Sequence, residues 1–267
     1  MNERQKYLFD LQGYVVVQDV LSADECDVAL EKIKTRMKPM GQAPDGKDPG
    51  GTWYWVAPNA GLINEGQPFI KLIDEPKITD VLTEIIGPKL RCESCLSLVR
   101  CKGSTTFDIH GGHRGGSVNF RYTVQNSRIY TGLCVVAIAL QDIGQQDGGF
   151  ACIPGSHKSE FSVPAADREE LLSHGGPLVR YIAQPKGSAI IFTETLAHGA
   201  GSWQREEPRY GLFYKYNDRA AVFHYQRDRL PNPETLEQMT DAQRCFFNVA
   251  WESFGPEGDG TNSRPEF

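Results

Sequence analysis

Hydrophobic positions along the chain follow two regimes. Up to about residue 90 they recur mostly at helical spacing, and from there to about 220 they come in short, nearly unbroken blocks. In the first regime Ser22-Ala-Asp-Glu25 has the form of a capping box. Cys26, Ala29, Leu30, Ile33 and Met37 follow it at helical spacing, which predicts an amphipathic helix. Ahead of that helix, Gly13-Tyr-Val-Val-Val17 has strand composition. Residues 40–52 are rich in Gly, Pro and Asp and read as a loop. A second helix opens at Pro76, carries Ile78, Val81, Leu82 and Ile85 on one face, and stops at Gly87-Pro88.

In the second regime, blocks at 96–101, 133–140, 178–183, 189–192 and 210–216 have strand length and composition. Turn signals such as Asp147-Gly148-Gly149 and Pro185-Lys186-Gly187 separate them. Short strands with long loops predict a mainly β fold with flanking helices, a double-sheet jelly roll whose mouth can hold a small ligand. From Arg227 the composition returns to helix and loop.

Composition narrows this picture. A chain of 267 residues, 40% hydrophobic, fits one domain spanning 1–267: a helical part to about 90, a β core to about 220 and an extension over 221–267. No apolar run approaches the ~18–20 residues of a membrane span, so no membrane association is expected. A net charge of −6 with mixed signs gives no argument for a nucleic-acid polymer as partner. The opening MNERQKYLFD lacks the basic-then-apolar layout of a secretion signal, and a cytoplasmic location is expected. There the seven cysteines would be reduced thiols, and Cys92-Glu-Ser-Cys95, with no second such pair, reads as buried filler.

Chemistry concentrates at histidines. His174 reads as a loop residue, His224 as lining a pocket or simply exposed, and His157, after the turn in Ile153-Pro-Gly-Ser-His, as capping or bracing its loop. His110 ends a strand-like run and opens Gly111-Gly112-His113-Arg114, while His198 sits in Thr195-Leu-Ala-His-Gly-Ala-Gly. Two strand-end histidines on opposite sides of a β-barrel can converge on one metal ion. Arg209, eleven residues after His198, could grip a carboxylate in the same pocket. Spacing alone makes this only a suggestive constellation.

The chain resembles the phytanoyl-CoA dioxygenase-like branch of the Fe(II)/2-oxoglutarate oxygenases over nearly its whole length. The resemblance rests on Gly13-Tyr-Val-Val-Val17 with its capped helix, on Asp147-Gly-Gly-Phe-Ala-Cys-Ile-Pro-Gly-Ser-His-Lys158, and on His198 followed by Arg209. It implies a distorted double-stranded β-helix, a jelly-roll variant. It further implies His110 and His198 as iron ligands, Arg209 as partner of the far carboxylate of 2-oxoglutarate, Arg100 as a second basic contact, and O2 as co-reactant.

The departure from the family pattern is Gly112, where most members carry the carboxylate of a 2-His-1-carboxylate triad. His-x-Gly is similar to the halogenase members of the superfamily, in which chloride takes the vacated position and is transferred to the substrate carbon. On that reading Gly112 acts by leaving room. Three other readings compete: a metal-free binding protein, a carboxylate supplied from elsewhere such as Asp108, or a water at the position and ordinary hydroxylation.

His113, Arg114 and Trp53 of Trp53-Tyr-Trp55 are the candidate substrate contacts, with Arg121, Arg128, Lys215, Arg219, Arg227 and Arg229 as further nearby cations. Most of these charges read as solvated surface; two or three facing the pocket would suit an anionic small molecule such as a phosphate. Resemblance to halogenases acting on free nucleotides in nucleoside-antibiotic biosynthesis points to a purine deoxynucleotide monophosphate. An amino acid or an alkaloid-like molecule stays open. No carrier-protein docking signature is evident.

Overall fold

The computed structural model describes residues 1–36, 53–56, 61–104, 107–112, 120–164, 167, 178–221 and 230–248, with backbone alone for 53–56, 107 and 108. The N-terminal helices are α1 (Glu3–Gln12), α2 (Ala23–Arg36) and α3 (Pro76–Ile85). The predicted capping box closes on α2: Ser22 N–H donates to Glu25 Oε2 at 2.9 Å, and Glu25 N–H donates to Ser22 Oγ at 3.2 Å. Helix α3 starts on Pro76, which needs no N–H there, and buries Ile78, Val81, Leu82 and Ile85 as predicted. Helix α1 has no counterpart in the sequence reading. Its own box, Asn2 with Gln5, starts it, but Phe9 is its only buried residue.

The strands are β1 (Tyr14–Val17), β2 (Trp53–Val56), β3 (Leu90–Arg100), β4 (Phe107–His110), β5 (Thr123–Gln125), β6 (Arg128–Tyr130), β7 (Cys134–Ala139), β8 (Phe150–Ile153), β9 (Arg180–Tyr181), β10 (Ala189–Thr193), β11 (Ala197–Ala200) and β12 (Arg209–Asp218). A six-stranded sheet runs β1-β10-β7-β12-β3-β2, a four-stranded sheet runs β4-β11-β8-β9, and β5-β6 form a separate ribbon. Every pairing is antiparallel. This is the jelly-roll, double-stranded β-helix class expected from the block pattern.

The larger sheet has two buried faces, which is why β7 (CVVAIA) and β10 (AIIFT) read as unbroken apolar runs. One face packs on the helices: Ile191, Val136, Leu212, Tyr214 and Tyr216 join Phe9, Ala29, Ile33 and Leu82 in the main core. Full burial of each such side chain contributes roughly 1.5–3 kcal/mol. The tyrosines dispose of their hydroxyls inside it, Tyr214 donating to Phe69 O at 2.9 Å and Tyr216 to Ile73 O at 3.1 Å. The other face meets the smaller sheet through Val135, Ala137, Ile190, Phe192, Phe150 and Cys152.

Two strand boundaries differ from expectation. β3 begins at Leu90 rather than 96, because the charged residues of its first half are paired: Arg91 Nη1 lies 2.8 Å from Glu93 Oε2, which also accepts from Asn217 Nδ2 at 2.9 Å. Cys92 and Cys95 therefore sit inside a buried strand, where burial pushes the Cys95 thiol up to about 12. Conversely, the 178–183 block keeps only Arg180–Tyr181 as strand.

His157 has a structural role, as its sequence position suggested, but it braces α1 rather than only its own loop. Its Nε2 lies 3.1 Å from Asp10 O, its ring meets Tyr122 edge to face, and Tyr122 donates to Asp10 Oδ1 at 2.7 Å. Burial, helped by the neighbouring charge of Lys158 and opposed by Asp10, pushes His157 down to about 4. An unfolded histidine titrates near 6.5. Between those values the unfolded chain binds more protons, so the stability present above pH 6.5 is lost as pH falls towards 4. Urea midpoints measured between pH 7 and pH 4.5 are expected to fall, with a smaller slope in His157→Gln. An unchanged slope in that variant would remove His157 from this role.

Candidate active site

The site begins with one strand pairing. β4 and β11 pair antiparallel so that His198 stands opposite His110. In an antiparallel ladder such partners project to the same side, and the two rings lie 4.0 Å apart between centroids, tilted by 55°. The three residues linking β10 to β11 carry the chain from the larger sheet to the smaller. The first of them, Glu194, donates its N–H to Leu133 O at 2.9 Å, and its carboxylate is directed at the histidines. One ligand atom from each of His110, Glu194 and His198 lies within 4.8 Å of the others, the only such triad of His, Cys, Asp or Glu among the described residues.

The surroundings prepare these groups as donors. His198 Nδ1 lies 2.7 Å from Leu196 O, to which it donates, leaving Nε2 as the unprotonated nitrogen. Burial, with His110 adding to it, pushes His198 down to about 4, so the imidazole is neutral at ordinary pH. Burial alone would raise Glu194, but Lys215, His198 and His110 outweigh it and hold the carboxyl below its usual range. Lys215 Nζ donates to Glu194 Oε1 at 3.2 Å. Glu194 Oε2 is buried and has no partner among the described residues. Phe192 and Phe150 stack round His198, at 4.6 and 6.1 Å between centroids.

A cavity of about 110 Å³ opens between the two sheets at these groups. Leu96, Leu98, Val135, Phe150, Phe192 and Phe213 make it apolar, and its polar groups are His110, Glu194, His198, Lys215 and Arg209. Alternation along β12 explains the cations: Arg209, Phe213 and Lys215 face the cavity, while Tyr210, Leu212, Tyr214 and Tyr216 face the helices. Arg209 is 5% exposed and its Nε has no partner among the described residues. Burial, with Arg100 opposite it on β3, pushes its guanidinium down to about 9. A buried cation in that condition calls for an anion.

Residues 9–210 match the family model for phytanoyl-CoA dioxygenase. The chain belongs to the phytanoyl-CoA dioxygenase family. Among solved structures it is similar in fold to HygX from Streptomyces hygroscopicus with nickel, 2-oxoglutarate and hygromycin B bound (TM-score 0.72, 20% identity, 83% of this chain and 89% of that one). It is also similar to AviO1 from Streptomyces viridochromogenes Tue57 (0.59, 17%, 83% and 96%). A third is the epimerase SnoN in complex with Fe3+, alpha ketoglutarate and nogalamycin RO (0.58, 17%, 86% and 93%). No curated protein sequence matches the chain.

For this phytanoyl-CoA dioxygenase family member, the structure brings together His110, His198 and Arg209 as the sequence anticipated. Arg100 is buried beside them, its Nη1 donating to Gly201 O at 2.9 Å. Trp53 starts β2 opposite Arg100, its side chain lying outside the described positions, as does that of Asp108. His113 and Arg114 fall outside the described residues, together with His174, His224, Arg227 and Arg229. Arg128 lies over the ring of Tyr130 on the separate ribbon, and Arg219 donates to Cys245 O at 2.9 Å, so neither lines the cavity. Glu194 was not anticipated.

Gly112 requires a correction. Its missing side chain does not open space beside the histidines. Gly112 is buried with φ +79°, its N–H donates to Thr195 O at 2.9 Å, and an added Cβ would lie 2.7 Å from Ala197 Cβ and 3.0 Å from Val163 Cγ2. Gly111, at φ +74°, is tighter: a Cβ would meet Leu196 O at 2.5 Å. The two glycines let β4 leave the sheet against the 194–197 connection. Gly112→Ala is therefore expected to destabilise the fold by at least ~1 kcal/mol, and Gly112→Asp by more. Urea midpoints check this, and wild-type stability in Gly112→Asp would restore the picture of an open space.

Proposed function

We propose that this chain is an Fe(II)- and 2-oxoglutarate-dependent oxygenase that hydroxylates a free small molecule, with His110, Glu194 and His198 as its iron ligands. The observation that carries the reading is the triad itself: two imidazoles and a carboxylate converging in one cavity, the donor set of non-haem iron oxygenases. The donor chemistry fits the metal, and the Nε of buried Arg209, without a partner among the described residues, fits a cosubstrate carboxylate. When bound, the metal and 2-oxoglutarate activate O2, one oxygen atom leaving in succinate as CO2 is lost and the other entering a substrate C–H bond.

The chain's own residues then have distinct tasks. Leu196 O fixes the His198 tautomer, and a ligand imidazole held this way is more basic. Arg209 receives the distal carboxylate of 2-oxoglutarate by a charge-assisted contact. Phe150, Phe192, Val135 and Phe213 keep bulk water from the reacting atoms. Substrate identity rests on less: HygX and SnoN carry hygromycin B and nogalamycin RO, which supports a small, free substrate.

A second reading, chlorination, is favoured by one observation. Glu194 is already paired with Lys215, and Gly112 brings no carboxylate, so if Glu194 stays on Lys215 a position beside the histidines is left for chloride. That reading keeps the anionic purine nucleotide among its substrates.

Three measurements separate these readings. Glu194→Ala and His198→Ala are each expected to weaken Fe(II) binding at least tenfold in anaerobic competition with a chelator, and wild-type affinity in Glu194→Ala would exclude the triad. Arg209→Ala is expected to weaken 2-oxoglutarate binding by roughly ten- to a hundredfold, the equivalent of ~1.5–3 kcal/mol. An unchanged affinity would place the carboxylate elsewhere. Mass spectra of product formed with and without chloride should show added oxygen in both; a chlorine isotope doublet would decide for chlorination.

A further inference from the structure

We propose that Lys215 is a positioning residue that makes Glu194 a one-oxygen metal ligand. The inference rests on the triad reading above and concerns how that site keeps room for its cosubstrate. The two oxygens of Glu194 are in different circumstances: Oε1 accepts from Lys215 Nζ at 3.2 Å, whereas Oε2 is buried and unpartnered among the described residues. A carboxylate facing a metal can bind through one oxygen or both. Here one oxygen is already engaged by an ammonium group, and the other is offered.

The local backbone holds both partners at this spacing. Glu194 is pinned through its N–H to Leu133 O at the head of β7. Lys215 is paired with Val135 on that same strand and with Ser94 on β3. Immediately after Lys215 the β12–β3 ladder slips, Tyr216 pairing with Cys92 so that Glu93 is passed over. A bulge of this kind turns the local side chains. It leaves Glu93 with Arg91 and Asn217, away from the cavity, and Lys215 on the cavity wall.

Coordination counting gives the arrangement its purpose. An octahedral ion has six positions. Two imidazoles and one carboxylate oxygen leave three, enough for a chelating 2-oxo acid and one further small molecule. If Glu194 supplied both oxygens, two positions would remain and the chelator would fill them. Lys215 thus protects the last position by occupying Oε1. A lysine suits this task, since its compact ammonium charges and donates without presenting a competing donor atom to the metal.

The test uses the full-length protein loaded with Mn(II) under anaerobic conditions, without 2-oxoglutarate, and reads the water-proton relaxivity that reports inner-sphere water. At equal metal loading, Lys215→Met is expected to lose one of the exchanging waters, lowering the inner-sphere relaxivity by about a third. Lys215→Arg, which keeps a cationic donor, is expected to restore it. Should the Met variant fail to fold, Lys215→Ala is read the same way. Wild-type relaxivity in the variant, or loss of Mn(II) binding from it, would overturn the proposal. Failure of the triad reading looks different: the wild-type protein would take up no Mn(II), or Glu194→Ala would hold it as tightly as wild type.

Discussion

The site depends on the antiparallel register of β4 against β11. That register sets His198 opposite His110, and it brings Gly112 far enough along to donate to Thr195 O, in the segment that carries Glu194. A slip of one residue would turn either histidine to the other face of the sheet, because side chains alternate with a period of two. The Cys152 partnership of His198 on β8 holds β11 from its other edge, so His198 sits on a strand fixed on both sides. Only four residues of each histidine strand are needed, since the neighbouring sheet supplies the wall that faces them.

Close backbone approach and carboxylate supply are linked here. The glycines after His110 let the chain press against residues 194–197, and the same connection presents a carboxylate from the opposite sheet. A side chain at 112 would have to displace Ala197 or Val163, while Glu194 reaches the histidines without any such conflict. The missing acid after the first histidine is thus matched by an acid four residues before the second. Lys215 offsets the charge of Glu194.

Much of this was legible in the sequence, for identifiable reasons. Helices α2 and α3 announced themselves through caps and a clean apolar face, which are local signals. The buried strands β7 and β10 did so through continuous apolar runs. His110, His198 and Arg209 stood out because glycines or strand runs flank them. Helix α1 was hidden because it buries only Phe9 and so has little periodicity. The first half of β3 was hidden because Arg91 and Glu93 look solvent-facing until they are seen to form a buried ion pair. Glu194 was hidden for a topological reason: a three-residue crossing between sheets aims it, and no spacing rule encodes that crossing. Its one signal is a charged residue directly after the fully buried run Ala189–Thr193. Gly112 was visible, but sequence shows only that a side chain is absent, not which neighbour fills the space.

The cation at Arg209 reaches beyond the chemistry of the cleft. A guanidinium held in the interior with an Nε unpartnered among the described residues weighs against the empty fold, and an anion seated there would relieve it. By mass action, an anion at a hundred times its dissociation constant adds about 2.7 kcal/mol to stability, a sizeable part of the ~5–15 kcal/mol that holds a typical domain together. Were Arg209 to seat the carboxylate proposed for it, the protein's resistance to unfolding and proteolysis would be coupled to the supply of a small carboxylic acid.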